Sequence, residues 1–397
     1  MPRIIVCDHI HKKGLEILEN AKDIEYINIA NEPKDKVPEL IKGADIAITR
    51  SSTDVDVNFL TGADKLKAVV RAGVGVDNVD IESCSKKGII VMNVPTANTI
   101  AAVELTMAHM LSCMRTFPYA HSQLKDKRVW KREDWYGREL NGKKLGVIGF
   151  GNIGSRVATR ALAFGMEVVT YDPYIKPTKA TDLGVAYTTS FDDILSCDII
   201  TIHTPKNKET VNMITSKEIA KMKEGVVLIN CARGGIVNEE AVAQAVRYGR
   251  LAGFGTDVYS AEPLSPDHPF LAEDILDKIV LTPHIGANTH EAQSEVSRIA
   301  AENMLAVLRG GSYVHAVNIP FVEQSLTEEQ KTYLNLARKM GILAAKLAEV
   351  KGGAVNNVHI MLRGALFNNE DCAATPEDQL RPHTIAMLKG LLEVSLG

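Results

Sequence analysis

Two parallel-sheet α/β domains followed by a small α+β region are what this sequence predicts, and three observations predict them. Short apolar runs rich in β-branched residues recur along the chain, as buried parallel strands require. Polar, helix-compatible stretches separate them, which is the pattern of a βαβ chain. A Gly149-Phe-Gly151-Asn152-Ile153-Gly154 turn then falls in mid-chain, where a second series of runs begins. At 397 residues the chain is long for one hydrophobic core, so two or three domains are expected.

The first series runs from residue 3 to about 95 through IIVC, IEYIN, DIAIT, LKAVV and GIIVM. Between the two series, Ile100, Val103, Met107, Met110, Leu111 and Met114 recur at helical spacing, with Pro95 and Pro118 on either side. That spacing predicts one helix over Asn98–Phe117 joining the two domains. The second series starts at Lys144 with KLGVIGFG and continues through EVVTYD, VVLIN (226–230) and FGTDVY (254–259) to KIVLTP (278–283). A further helix from His284 on, closed by Gly310-Gly311, would return the chain to the first domain.

The division that follows is discontinuous. Residues 1–95 and 285–317 form a substrate-binding domain, and residues 96–284 form a nucleotide-binding one of Rossmann or flavodoxin type. Residues 318–397 are a separate region. There Thr327-x-x-Gln330 resembles a capping box opening a helix with Leu334, Leu336, Met340, Leu343 and Leu347; alternating Val358, Ile360 and Leu362 read as a strand, and His383–Leu392 as a last helix.

Composition narrows the function classes. A formal net charge of -4 gives no overall attraction to nucleic acid or to an anionic membrane. Small molecules and further copies of the chain are the expected partners. The six cysteines (Cys7, Cys84, Cys113, Cys197, Cys231, Cys372) contain no C-x-x-C pair, which argues against a zinc site or a disulfide framework and for the reducing cytoplasm. No targeting signal and no membrane span is read from the chain, and no metal site is expected.

The mid-chain turn has a specific physical reading, because a strand enters it and a helix leaves it. Gly149 permits the tight turn, Gly151 lets a pyrophosphate approach the backbone, and Gly154 allows the helix to touch the strand. The phosphates would rest at the helix N-terminus, on Asn152, Ile153 and their neighbours, where free N–H groups favour negative charge. Asp172 lies 23 positions after Gly149, at the end of the next strand. It is either an acceptor for the adenine-ribose hydroxyls, which makes NAD the cofactor rather than NADP, or an ordinary turn residue before Pro173.

Arg233, Glu262 and His284 each follow a predicted strand, on loops where function concentrates. Oxidation of a secondary alcohol beside a carboxylate needs a base for the hydroxyl proton, a cation for the carboxylate and an acceptor for hydride. His284, Arg233 and NAD supply them, with Glu262 fixing the imidazole tautomer and raising its pKa. Taken singly, each residue could equally be a loop donor, a helix cap or a turn residue.

At these residues the chain resembles a known family. NCARGGIVNEEAV, GTDVYSAEP and LTPHIGANTHEAQ are similar to the signature blocks of the D-isomer-specific 2-hydroxyacid dehydrogenases. RAGVGVDNVD and NVPTANTIAAVELT are most similar to the members that oxidise 3-phosphoglycerate to 3-phosphohydroxypyruvate, the first step of L-serine biosynthesis. The resemblance implies a cleft between two domains and a homodimer or homotetramer. It also implies phosphate-binding roles for Arg50, Arg71 and Arg132, the last from a neighbouring subunit, and a substrate contact at Asn98. Thr204, Pro205, Ala232 and Asp257 match cofactor-lining positions; Asp257 would accept from the carboxamide or serve as a buried structural carboxylate.

The resemblance also implies two other outcomes. One is a relative acting on glyoxylate, hydroxypyruvate or 2-oxoglutarate, separated from the first by the three arginines alone. The other is an NAD-sensing binding protein. Residues 318–397 resemble the beginning of an anion-binding regulatory domain that continues further in long members, so serine feedback is not expected to carry over directly.

Overall fold

The computed structural model describes residues 1–309, 313, 315–319, 328–350 and 383–391. The backbone divides into two compact units. One is Thr96–Gln293; the other comprises Met1–Pro95 and the described residues from Ser294 on.

In the latter unit, strands β1 (Arg3–Val6), β2 (Glu25–Asn28), β3 (Ile46–Thr49), β4 (Ala68–Arg71) and β5 (Ile90–Met92) form one parallel sheet in the order β2-β1-β3-β4-β5. Each falls on a run picked out in the sequence. β3 is buried at all four positions, in keeping with its apolar Ile46, Ala47 and Ile48, whereas edge strand β2 is partly exposed. Chain order reverses between β1 and β3, so the loops after them flank the switch point where such sheets bind ligands.

The His290–Leu308 helix brings Ser297 against the Lys12–Glu19 helix of this unit. A Cβ on Gly14 would stand 2.6 Å from the Ser297 carbonyl oxygen, so only glycine permits the approach. The His11 amide donates to Ser297 Oγ at 2.9 Å. Beyond that helix, Asn318 Oδ1 accepts from the Val91 amide at 2.8 Å and its Nδ2 donates to the Ile89 carbonyl, which ties the chain to β5.

The Thr96–Gln293 unit holds seven parallel strands: β6 (Lys144–Ile148), β7 (Glu167–Tyr171), β8 (Ala186–Thr188), β9 (Ile199–Ile202), β10 (Val226–Asn230), β11 (Leu251–Thr256) and β12 (Ile279–Leu281). Their order is β12-β11-β10-β9-β6-β7-β8, with the switch point between β6 and β9. β9 and β10 are buried throughout, at the centre of two clusters of buried apolar side chains. Both units are thus parallel α/β sheets, as the sequence predicts.

Two local readings are corrected. The helix expected over Asn98–Phe117 is Thr99–Arg115, ended by Thr116 in the left-handed region at φ 48°. Pro118 does not terminate it. It sits in the first turn of a second helix, Phe117–Lys127, where a missing N–H costs nothing.

The Glu328–Val350 helix forms, but of its apolar stripe only Leu334 is buried; Leu336, Met340, Leu343 and Leu347 are about half exposed. The buried face carries small residues instead. Ala337 and Ala345 are buried, and a Cβ on Gly341 would meet the Met387 carbonyl oxygen at 2.0 Å, so this helix packs backbone-close on the helix through residues 383–391. The capping side chains at Thr327 and Gln330, the Gly310-Gly311 closure, the strand over Val358, Ile360 and Leu362, Leu392 and Cys372 lie outside the described residues. No described helix is long and apolar enough to cross a membrane.

Candidate active site

The glycine turn joins β6 to the Gly154–Ala163 helix at the switch point of the seven-stranded sheet. Its three glycines answer three different constraints. Gly149 has φ 88°, and a Cβ there would stand 2.7 Å from the His203 carbonyl oxygen at the end of β9. A Cβ on Gly154 would stand 2.0 Å from the Gly149 carbonyl oxygen, so helix and strand touch there. A Cβ on Gly151 meets nothing within 4 Å. The structure therefore leaves Gly151 bare on its open side, where the pyrophosphate of a dinucleotide would rest on the amides of Asn152 and Ile153 at the helix mouth.

Asp172 follows β7 and is tied to this turn. Its Oδ2 accepts from the Phe150 amide at 2.8 Å and its Oδ1 from the Tyr174 amide at 2.9 Å. Each oxygen keeps a lone pair for a ribose hydroxyl. Across the switch point, Thr204 Oγ1 is buried with no partner among the described residues, and its methyl carbon stands 3.0 Å from the Cβ position of Gly149. An orphaned hydroxyl beside a bare glycine turn fits a bound polar ligand. Pro205 is exposed, and its carbonyl accepts from Thr210 Oγ1 at 2.6 Å. The residues present fit NAD.

Replacing Gly151 with valine is expected to weaken NAD binding by about tenfold or more, an energy of roughly 1.4 kcal/mol or above. The melting temperature of the apo protein should hold, since a Cβ at this position meets nothing within 4 Å. Titration calorimetry with a parallel melt checks both; unchanged affinity would remove the phosphates from this turn.

The ends of β10, β11 and β12 carry the other candidate groups. After β10, Asn230 orders the turn: its Oδ1 accepts from the Ala232 amide at 3.1 Å and its Nδ2 donates to the Arg233 carbonyl at 3.0 Å. Arg233 Nη1 donates to the Ala232 carbonyl at 2.7 Å. The following Gly234 presses on the next loop, because a Cβ there would stand 1.8 Å from the Tyr259 carbonyl oxygen. The Arg233 turn and the loop bearing Glu262 are thereby clasped together.

Glu262 Oε1 accepts from the Tyr259 amide at 3.0 Å, and Oε2 stands 2.7 Å from His284 Nδ1. An ionised carboxylate only accepts, so Nδ1 carries the proton and Nε2 of the neutral ring keeps its lone pair. The bond to Glu262 raises the His284 pKa; burial opposes it, the Glu262 and Asp257 charges add to it and Arg233 subtracts. Burial alone would raise the Glu262 pKa, but the bonds from His284 and the Tyr259 amide and the positive charges of His284 and Arg233 leave it lowered. An apolar cavity of about 310 Å³, lined by Tyr259, Pro263, Leu264, Leu271 and Leu281, borders the pair.

Asp257, 1% exposed at the end of β11, accepts from Thr282 Oγ1 at 2.6 Å, the Ile285 amide at 2.8 Å and the Gly286 amide at 2.7 Å. Three of its acceptor sites are thus spent on structure. Oδ2 retains one for a ligand N–H.

The remaining candidates are placed as follows. Arg50 and Arg71 follow or end the neighbouring strands β3 and β4. The Arg50 amide donates to buried Asp8 and its Nη1 to the His9 carbonyl at 3.0 Å, while burial lowers the pKa of its guanidinium. Arg71 folds its guanidinium over Gly73, whose Cβ would stand 1.5 Å from Nη1. This explains the glycine of Arg-Ala-Gly, which the sequence alone leaves unexplained.

In the unit of Arg233, Asn98 stands at the N-cap position of the Thr99–Arg115 helix without a side-chain cap bond, its Oδ1 buried and unpartnered among the described residues, and Arg132 is exposed on the short turn Arg132–Asp134. Thr282, Tyr259 and His109 were not singled out in the sequence. Only a polar ring inside the apolar run TMAHMLSCM signals the last.

Comparison with known proteins places these groups in a family. Residues 107–286 match the family described as D-isomer specific 2-hydroxyacid dehydrogenase, NAD binding domain. A D-3-phosphoglycerate dehydrogenase of Methanocaldococcus jannaschii is 39% identical over 393 residues, covering 99% of this chain and 71% of the relative. One of Archaeoglobus fulgidus is 39% identical over 398 residues, covering 100% and 72%.

Among solved structures, the TT0316 protein of Thermus thermophilus is 34% identical with a TM-score of 0.72, covering 79% of this chain and 99% of that one. A D-lactate dehydrogenase of Aquifex aeolicus, complexed with NAD and lactic acid, is 28% identical with a TM-score of 0.68, covering 80% and 100%. The chain belongs to the D-isomer specific 2-hydroxyacid dehydrogenase family.

Proposed function

We propose that this chain catalyses the NAD-dependent oxidation of 3-phosphoglycerate to 3-phosphohydroxypyruvate, the step that opens L-serine biosynthesis. The observation that carries the reading is the 2.7 Å His284–Glu262 pair, with Arg233 in its field, in a chain that matches D-3-phosphoglycerate dehydrogenases over nearly all its length. When bound, NAD supplies the hydride acceptor. His284 Nε2 takes the proton of the substrate C2 hydroxyl, and Glu262 holds the resulting imidazolium. Arg233 anchors the carboxylate and the oxygen at C2 through charge-assisted bonds.

Arg50, Arg71 and Arg132 bind the phosphate, for which guanidinium forks suit a dianion better than ammonium groups. Asn98 contacts the substrate. Asp172 selects NAD through the ribose, and Thr204, Pro205, Ala232 and Asp257 line the cofactor. The enzyme works in the cytoplasm as a homodimer or homotetramer, Arg132 reaching a neighbouring subunit; its exposure on a short turn supports that role.

Relative kcat/KM in the reducing direction tests the substrate. Phosphohydroxypyruvate should be preferred over glyoxylate, hydroxypyruvate and 2-oxoglutarate, and a preference for any of those three would move the function to that compound. Arg71→Ala should lower kcat/KM for the phosphorylated substrate by about 10- to 150-fold, the loss of one or two charged hydrogen bonds worth about 1.5–3 kcal/mol. Its effect on unphosphorylated hydroxypyruvate should be small; equal losses on both would take the phosphate away from Arg71.

A further inference from the structure

The His284 backbone lies at φ 52°, in the left-handed region that a residue with a Cβ adopts at a cost of about 1–2 kcal/mol. Such a conformation persists only where its surroundings impose it. Here the turn over residues 282–286 is gripped from two sides. The Thr282 carbonyl accepts from the His284 amide at 3.0 Å and from Tyr259 Oη at 2.8 Å. Buried Asp257 gathers Thr282 Oγ1, the Ile285 amide and the Gly286 amide.

Thr282 Oγ1 has one further contact, at 2.8 Å to Nε2 of His109 on the Thr99–Arg115 helix. A hydroxyl carries a single proton, and that of Thr282 goes to the carboxylate of Asp257, which can only accept. Thr282 must therefore accept from His109, and the His109 ring presents Nε2–H. Burial lowers the pKa of this imidazole more than the Asp257 charge and a hydrogen bond to the Val280 backbone raise it, in keeping with a neutral ring.

His109 is 2% exposed, and Gly255 in β11 makes room for it: a Cβ on Gly255 would stand 3.2 Å from His109 Cβ. The helix thus supplies a hydrogen-bond donor from a buried face that also carries Val103, Met107 and Met110.

We propose that His109 is a positioning residue for the acid–base group, acting through Thr282 and Asp257 to hold the strained His284 turn so that the imidazole stays aligned on Glu262. The inference rests on the acid–base reading of His284. Without the His109 donor, Thr282 Oγ1 loses the partner that orients its proton toward Asp257, and the carboxylate that fixes the Ile285 and Gly286 amides is free to shift. A misplacement of about 1 Å at a reacting group can cost on the order of a hundredfold in rate.

The test compares His109→Leu with His109→Gln, whose side-chain amide N–H can still reach Thr282. Two readouts are taken: kcat with saturating NAD and 3-phosphoglycerate, and the His284 imidazole titration followed by NMR in the apo protein. His109→Leu should lower kcat by about ten- to a hundredfold, and the His284 pKa should fall back toward the ordinary value of about 6.5 as its contact with Glu262 loosens. His109→Gln should recover most of both.

A kcat and a His284 titration unchanged in His109→Leu would overturn the proposal, as would a folded His109→Gln no better than His109→Leu. If the leucine variant fails to fold, Thr282→Val against Thr282→Ser asks the same question: serine should behave as wild type and valine should show both losses, and equal behaviour counts against the relay. His284→Asn separates the two levels. Normal turnover there ends the acid–base reading itself, whereas a dead His284→Asn beside fully active His109 and Thr282 variants ends only this inference.

Discussion

Replacing His284 with asparagine is expected to lower kcat by a factor on the order of 10²–10⁴, the usual contribution of a positioned acid–base group. NAD affinity should be nearly unchanged, because the glycine turn that would hold the phosphates is made by other residues. Steady-state kinetics beside a cofactor titration checks both, and a variant with wild-type turnover would end the assignment. The pH behaviour is set by the same pair.

Oxidation needs neutral His284, so kcat/KM in that direction should rise with pH through its pKa, which Glu262 holds above the ordinary value of about 6.5. Reduction needs the imidazolium and should fall through the same ionisation. Glu262→Gln removes the charge and the strong acceptor, so both limbs should move to lower pH. For stability the direction is also fixed: a raised folded pKa stabilises the fold fully below the unfolded value of about 6.5, and that contribution is lost as pH climbs through the folded pKa. Thermal melts of His284→Asn should therefore differ from wild type in mildly acidic buffer and converge with it in alkaline buffer.

Arg233→Ala is expected to lower kcat/KM for 3-phosphoglycerate by about 30- to several thousandfold. The estimate follows from the roughly 2–5 kcal/mol that accompanies loss of one partner from a desolvated, hydrogen-bonded charge pair. Arg233→Lys should recover only part of this, since an ammonium supplies the charge without the planar fork. The turn itself is held by Asn230 and by Gly234 against Tyr259, so the fold should survive the substitution. Kinetics of the two variants check the ordering; alanine and lysine variants both within about threefold of wild type would mean that the carboxylate is bound elsewhere.

Much of this architecture was legible in the chain because buried parallel strands leave an unbroken apolar run. VVLIN became β10, buried at all five positions, and GIIVM contained β5. Edge strand β8, three residues with none buried, carries no such mark. The parts played by Gly149 and Gly154 were legible too, because each of these two glycines is required by backbone proximity within a local turn.

The break at Thr116 was not legible, since a threonine does not announce a left-handed residue. The Glu328–Val350 helix misled for a different reason: its large apolar residues recur at helical spacing, yet the close approach to residues 383–391 is made at Gly341, and Ala337 and Ala345 are buried while most of the large residues are not. Arg233, Glu262 and His284 could be singled out by residue type and by position after a strand. The His109–Thr282 contact spans 173 positions, and an imidazole on an apolar helix face reads as packing until its partner is seen.

The oxidation itself is read as NADH formation by the purified chain from 3-phosphoglycerate and NAD, with the phosphohydroxypyruvate removed as it forms by phosphoserine aminotransferase and glutamate. Sustained turnover is expected, lowered in His284→Asn by a factor on the order of 10²–10⁴. No NADH from 3-phosphoglycerate, with ready oxidation of NADH by glyoxylate or 2-oxoglutarate, would contradict it and leave a dehydrogenase of the same family with another substrate.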